Sequence, residues 1–378
     1  MLQINERRIE MSRARFVVLR SIPANVPRLR ECVALLAVIV ALLLSTWSMP
    51  AAAANRIFTD SAGRRVELPA RIERVFAAGP PAAVLLYSLV PDRLIGWPQD
   101  LSADAKTILP PRYASLPVVG RLTGHDNGVA VADVVALRPD LIVDVGDIEP
   151  EYVELADRMQ QESGIPYVLI DGSLGKTADA YQSLGSILDV QPAAEDLAKR
   201  AGALLDGVRA TLAKAGSDGH MRAYYARGKD GLETAVPGSV LAEGIEFCGL
   251  SLAAPSSSGG EHSKLSVEEI AHLDPDIVVT SNRALFATIS TSAQWSSIRA
   301  VRERRIYLSP NNPFGWIDSP PGINRLIGVR WLAGRLHPSA FPDDLHEVTR
   351  NFYAAFFHID LDASQLDQLL SIASMQPQ

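Results

Sequence analysis

Cysteine is nearly missing from this 378-residue sequence, which carries only Cys32 and Cys248. That scarcity excludes a disulfide framework and any cluster held by several thiolates. No Gly-x-Ser-x-Gly, no Gly-x-x-x-x-Gly-Lys-Ser/Thr and no Gly-x-Gly-x-x-Gly after a strand occurs, so the motifs of serine hydrolases, P-loop nucleotidases and dinucleotide enzymes are absent. The seven histidines are scattered, with no pair at the spacing that holds a metal on a helix. Long apolar runs are lacking too. The longest, residues 33–44, has 12 members, short of the roughly 20 that span a bilayer.

That run is better explained as the core of a secretory leader. Arg7, Arg8, Arg13, Arg15, Arg20, Arg28 and Arg30 precede it or lie ahead of its apolar part, and small residues at 51–54 offer cleavage positions. Residues 1–54 are therefore expected to be removed, with Met11 as a possible alternative start. Their loss takes seven arginines and three glutamates from a chain of net charge −7, leaving a body near −11. An acidic body without basic runs argues against nucleic acid as a partner. Cys32 lies ahead of the apolar run, where it cannot be a lipidated residue, so an exported protein free of a lipid tether is expected. Cys248, beside Phe247 and Leu250, reads as a small buried residue.

What is present is a repeated phrase. Val135-Ala-Leu-Arg-Pro139-Asp-Leu-Ile-Val143 and Ala271-His-Leu-Asp-Pro275-Asp-Ile-Val-Val279 both run from a helical pattern, through a proline that stops it, into a branched aliphatic strand. Two similar α/β lobes with central parallel sheets are the simplest account. The first is expected over 55–174 and the second over 216–342. Between them 175–215 forms a stiff helical connection, interrupted only at Val190-Gln-Pro192, and 343–378 forms a helical tail. Within the lobes the pattern predicts a hairpin over 56–69, short strands at 94–97 and 117–120, a helix over 238–248 and a capping box at Ser266 and Glu269.

Ligands of open α/β sheets bind beyond the carboxyl ends of the strands. The loops there bring forward Pro80, Trp97, Arg121 and His125 from the first lobe, and Tyr225, Arg227, Phe314 and Trp316 from the second. Arginine forks beside aromatic faces suit a metal chelate or an oxyanion. Tyr225 reads equally well as a core strand residue, and Arg227 as part of a solvated turn.

The ordered set of features resembles the periplasmic substrate-binding proteins of ABC importers that carry ferric siderophores, haem and vitamin B12, a group with molybdate- and tungstate-binding relatives. Thr59-Asp-Ser-Ala-Gly-Arg-Arg-Val-Glu-Leu-Pro69 is similar to that family's opening hairpin, and the two proline phrases to its repeated helix-to-strand element. The segment 312–326 and the helical tail look like its iron-complex branch. The resemblance covers essentially all of 55–375. It implies two Rossmann-like lobes joined by a rigid helix, a small-molecule cargo held between them, no cofactor and no catalysis. It also implies docking on an inner-membrane permease through an acid on each lobe, seven residues before each phrase's proline. That position is Glu268 in the second lobe and Ala132 in the first, where Asp133 is the neighbouring acid. A monomer is expected. An iron complex is the expected cargo, with molybdate, tungstate, haem and cobalamin as alternatives, and an exported α/β enzyme as the reading from another class.

Overall fold

A computed structural model describes residues 56–123, 128–216, 221–256 and 262–373. The expected leader, residues 1–54, lies outside them, as does His125. The described chain opens on the predicted hairpin, with β1 (Arg56–Thr59) antiparallel to β2 (Arg65–Leu68). A three-stranded parallel sheet follows, in the order β3 (Val75–Ala77), β4 (Leu141–Gly146), β5 (Tyr167–Asp171). Helices α1 (Pro80–Leu89) and α2 (Pro150–Ser163) join its strands in the α/β manner, each opened by proline in its first turn.

The second lobe contributes β6 (Arg222–Tyr225), β7 (Glu233–Ala235), β8 (Ser251–Leu252), β9 (His262–Lys264), β10 (Ile277–Thr280) and β11 (Ile306–Leu308). Four of these form a parallel sheet in the order β11-β10-β6-β8, while β7 and β9 pair as a small antiparallel ribbon. Segments 94–97 and 117–120, expected as strands, make only single bridges, Leu94 to Val75 and Trp97 to Val118. The expected helix over 238–248 contracts to Glu243–Glu246, because Gly238 (φ 78°) and Gly249 (φ 77°) hold left-handed conformations that end it on both sides.

The repeated phrase performs the same task in both lobes. Arg138 (φ 50°) and Asp274 (φ 45°) turn the chain in the left-handed region just before Pro139 and Pro275. Asp140 then accepts the backbone N–H groups of Glu73 and Arg74 at 2.8 and 2.9 Å, and Asp276 accepts that of Arg222 at 2.8 Å. Each aspartate thus ties the start of the central strand to the start of its neighbour, β3 in one lobe and β6 in the other.

The connection expected over 175–215 is two helices. α3 (Thr177–Leu188) ends where Asp189 adopts φ 54°, and α4 (Gln191–Ala215) begins with Pro192 in its first turn. The pair packs closely; a Cβ on Gly185 would lie 2.5 Å from that of Ala194. The rod is therefore α4 alone, 25 residues or about 37 Å long. Beyond it come α5 (Val267–Leu273), with the predicted capping box in place, α6 (Arg283–Thr291), α7 (Arg325–Leu336), which packs against α4, and the tail helices α8 (Leu345–Phe352) and α9 (Ala363–Ala373). Cys248 is buried, and burial pushes its thiol well above the ordinary range. Among the described residues no helix is long and apolar enough to cross a membrane.

Candidate ligand-binding site

The carboxyl ends of both sheets open onto one chamber of about 410 Å³. From the first lobe it is lined by Pro80, which follows β3, by Asp144 to Asp147 at the end of β4, and by Arg121, Thr123 and Tyr152. From the second it is lined by Arg227, His262, Asp318 and the prolines at 320 and 321. A second chamber of about 470 Å³ adjoins it, sharing Pro80, Gln99, Ser319 and Pro320.

The charged groups of the first chamber are organised around two buried carboxylates. Asp318 has a fully buried side chain. Its Oδ1 accepts the hydroxyl protons of Tyr225 at 2.6 Å and Ser319 at 3.1 Å, and its Oδ2 lies 2.9 Å from Arg227 Nη1. The same guanidinium lies 5.5 Å from the Tyr225 ring centre and 3.3 Å from His262 Nδ1. Arg227 is thus held from three sides, with one fifth of its side chain exposed to the chamber. Such a charge-assisted, preset cation loses little freedom when an anionic or acceptor-rich ligand arrives.

Across the chamber Asp144 accepts from the Tyr167 hydroxyl at 2.9 Å, the Val145 N–H at 3.0 Å and the Thr123 hydroxyl at 3.3 Å. Burial nevertheless dominates these hydrogen bonds and raises its carboxyl to about 6. Arg121 Nη1 reaches Gln99 Oε1 at 3.5 Å on the same side.

The structure brings together Pro80, Arg121 and Arg227 in the first chamber, and Trp97 and Phe314 on the wall of the second. Trp97 and Phe314 are nearly buried and face each other across the lobes with ring centres 5.9 Å apart, and Trp97 donates its indole N–H to the Tyr113 carbonyl at 2.8 Å. Two of the expected contacts are corrected. Trp316 is wholly buried, 6.5 Å from both Trp331 and Tyr353, with its N–H donated to the Tyr353 hydroxyl at 3.1 Å; it is a core residue because α7 and the tail close over it. Tyr225 is also buried and meets the site through its hydroxyl on Asp318 and its ring beside the Arg227 guanidinium.

Asp144, His262 and Asp318 were not singled out by the sequence. Asp144 is an acid within an aliphatic strand pattern, which was a usable signal; Asp318 carried none beyond its place after β11, and His262, the first residue of β9, carried none. Asp133 and Glu268 are both exposed in the first turns of the short helices Val131–Ala136 and Val267–Leu273 that lead into β4 and β10. An apolar concavity of about 460 Å³ lies between α4 and the tail helices, lined by Leu204, Val208, Phe341 and Phe352. Arg200, Arg330 and Asp343 also line it, and it is remote from the strand ends.

Two parallel-sheet lobes braced by one long helix, with a chamber at their facing strand ends, define a class III periplasmic binding protein architecture. Residues 89–313 match the periplasmic binding protein family, and the chain belongs to it. It is 23% identical over 348 residues to the molybdate-binding protein MolA of Haemophilus influenzae, covering 84% of this chain and 95% of that protein. A cobalamin-binding protein of Halobacterium salinarum is 29% identical over 262 residues, covering 67% of this chain and 65% of that protein. Among solved structures, an ABC transporter solute binding protein from Sulfurospirillum deleyianum superposes with a TM-score of 0.77 at 24% identity, covering 84% of this chain and 99% of that one.

Proposed function

We propose that the mature chain is exported, captures an iron chelate between its lobes and delivers it to an inner-membrane permease. The observation that carries this reading is the pair of arginines, Arg121 from one lobe and Arg227 from the other, lining a single chamber at the ends of both sheets. Two guanidinium groups approaching from opposite walls suit the oxygen-rich shell of a chelate, which closure of the lobes would grip. The chamber's volume is that of a site for a ligand of drug-like size rather than for a bare ion. On this reading the protein performs no chemistry, and Asp133 and Glu268 are the acids that meet the permease.

A second reading keeps the receptor role with molybdate as cargo. The match to MolA along most of both chains favours it, and the same two arginines would serve an oxyanion. A thermal-shift screen of the mature chain against ferric siderophores, haem, cobalamin and molybdate separates the two. A ligand at 100 times its dissociation constant raises stability by about 2.7 kcal/mol. A shift with ferric chelates that Arg227→Ala removes supports the proposal; a shift with molybdate alone transfers the site to the second reading.

A further inference from the structure

The interlobe chamber contains a carboxylate that no cation balances. Among the described residues three acids line it: Asp318, paired with Arg227, Asp147, half-buried beyond the end of β4, and Asp144. Asp144, inside β4, is 5% exposed, and its donors are neutral: the Val145 N–H and the Thr123 hydroxyl on Oδ1, the Tyr167 hydroxyl on Oδ2. No described cation pairs with it. On its flanks β3 brings only Val75, Phe76 and Ala77, whereas β5 brings Tyr167, whose phenol burial keeps well above its ordinary range. Arg121 and Tyr152 face the chamber from the first lobe, and Arg227 and His262 from the second.

An anion gripped by Arg121 and Arg227 shares this space with Asp144, and like charges in one dry chamber favour a proton on the carboxylate. Resting on the reading of the arginine chamber given above, we propose that Asp144 is a specificity-determining residue: it takes a proton from solvent as an anionic ligand enters, and the neutral acid then donates a hydrogen bond to that ligand. Burial raises its carboxyl to about 6 before any ligand charge is added, so about one molecule in ten holds the proton at pH 7. The anion raises it further and draws the proton in. The proton's place is Oδ2, which accepts one hydrogen bond where Oδ1 accepts two. His262 is the competing base. Its Nδ1 lies 3.3 Å from Arg227 Nη1, a group that only donates, so a proton there would set two cations face to face. Anionic cargo is thereby bound together with a proton, and its affinity falls as pH rises through neutrality.

Calorimetric titration of the mature protein with molybdate and with ferric enterobactin, both anions of fixed charge around neutral pH, counts the protons taken up when it is run in buffers of different ionisation enthalpy. The proposal expects more than about half a proton per anion at pH 7 and a dissociation constant that rises at least about threefold from pH 7 to 8. Asp144→Asn, which imitates the neutral acid, should abolish both effects and bind at pH 8 at least as tightly as the parent. Infrared difference spectra of the parent give a readout that needs no variant: a protonated carboxyl band should appear on binding, and its absence counts against the proposal. Binding that Arg227→Ala abolishes but that takes up no proton, or the same number in Asp144→Asn, overturns the role of Asp144 and leaves the arginine chamber standing. Absence of binding by either anion, or binding indifferent to Arg227→Ala, overturns both.

Discussion

Arg325 Nη1 lies 2.6 Å from Glu243 Oε2 beneath the interlobe chamber, and this pair fastens the two sheets together. The guanidinium, 2% exposed, also donates to the carbonyls of Gly172 at 2.5 Å, just past β5, and Val240 at 3.1 Å in the second lobe. Glu243 in turn accepts the N–H of Leu174 at 2.9 Å. Gly172 is required at the contact, because a Cβ there would lie 2.8 Å from the Gly146 backbone.

Removing one member of that pair strands the other and two carbonyls. Arg325→Met is expected to cost about 3–5 kcal/mol in urea unfolding, the range for breaking a buried pair. Adding Glu243→Leu should recover part of the loss, because the orphaned charge is then gone. Strictly additive costs in the double variant would show that the two groups do not act together.

Trp316 gives a contrast between stability and binding. Trp316→Ala should lower unfolding free energy by about 3–5 kcal/mol. Trp316→Phe, which keeps most of the packing and loses the hydrogen bond to Tyr353, should cost about 1–2 kcal/mol with ligand affinity unchanged. A large loss of affinity in a folded Trp316→Phe protein would return this ring to the binding surface.

Gly328 is the point where α7 rests on the preceding loop. An added Cβ would stand 1.7 Å from the Trp316 carbonyl oxygen, a clash with backbone that no side-chain rotation relieves. Gly328→Ala should therefore destabilise by at least about 1–3 kcal/mol, the overpacking range, even though alanine favours a helix over glycine. A raised melting temperature would contradict the packing described.

Asp144 makes stability depend on pH in a defined direction. Its folded carboxyl titrates near 6 against an ordinary value of 3.8, so the folded state holds the proton more tightly. The contribution is fully present below pH 3.8 and is lost as pH rises through about 6. Two units correspond to about 3 kcal/mol. Asp144→Asn should remove that slope between pH 4 and 7, gaining on the parent as pH increases; parallel curves for the two proteins would refute the assignment.

Much of the architecture was legible because it follows from patterns with a physical cause. The two proline phrases gave the paired sheets, and Asp140 and Asp276 confirm that the likeness extends to hydrogen bonding. Arg227 was legible as a cation following a strand. The aromatic loop was not resolved in the same way: Phe314 borders a chamber whereas Trp316, two residues on, is sealed in the core. Between Pro313 and Pro320 there is no periodicity to say which ring turns inward, and the burying partners, Trp331 and Tyr353, come from later helices. Asp144 was hidden for a related reason, since a strand covered on both faces reads as apolar throughout and its one acid carries no label of direction.

The seam between Trp97 and Phe314 gives this protein a built-in optical probe. Trp295, Trp316 and Trp331 sit in the packed cores, while Trp97 borders the second chamber at the junction of the lobes. Its indole, 5.9 Å from the Phe314 ring of the other lobe, is placed so that its emission reports a change in how the lobes meet, without any attached dye.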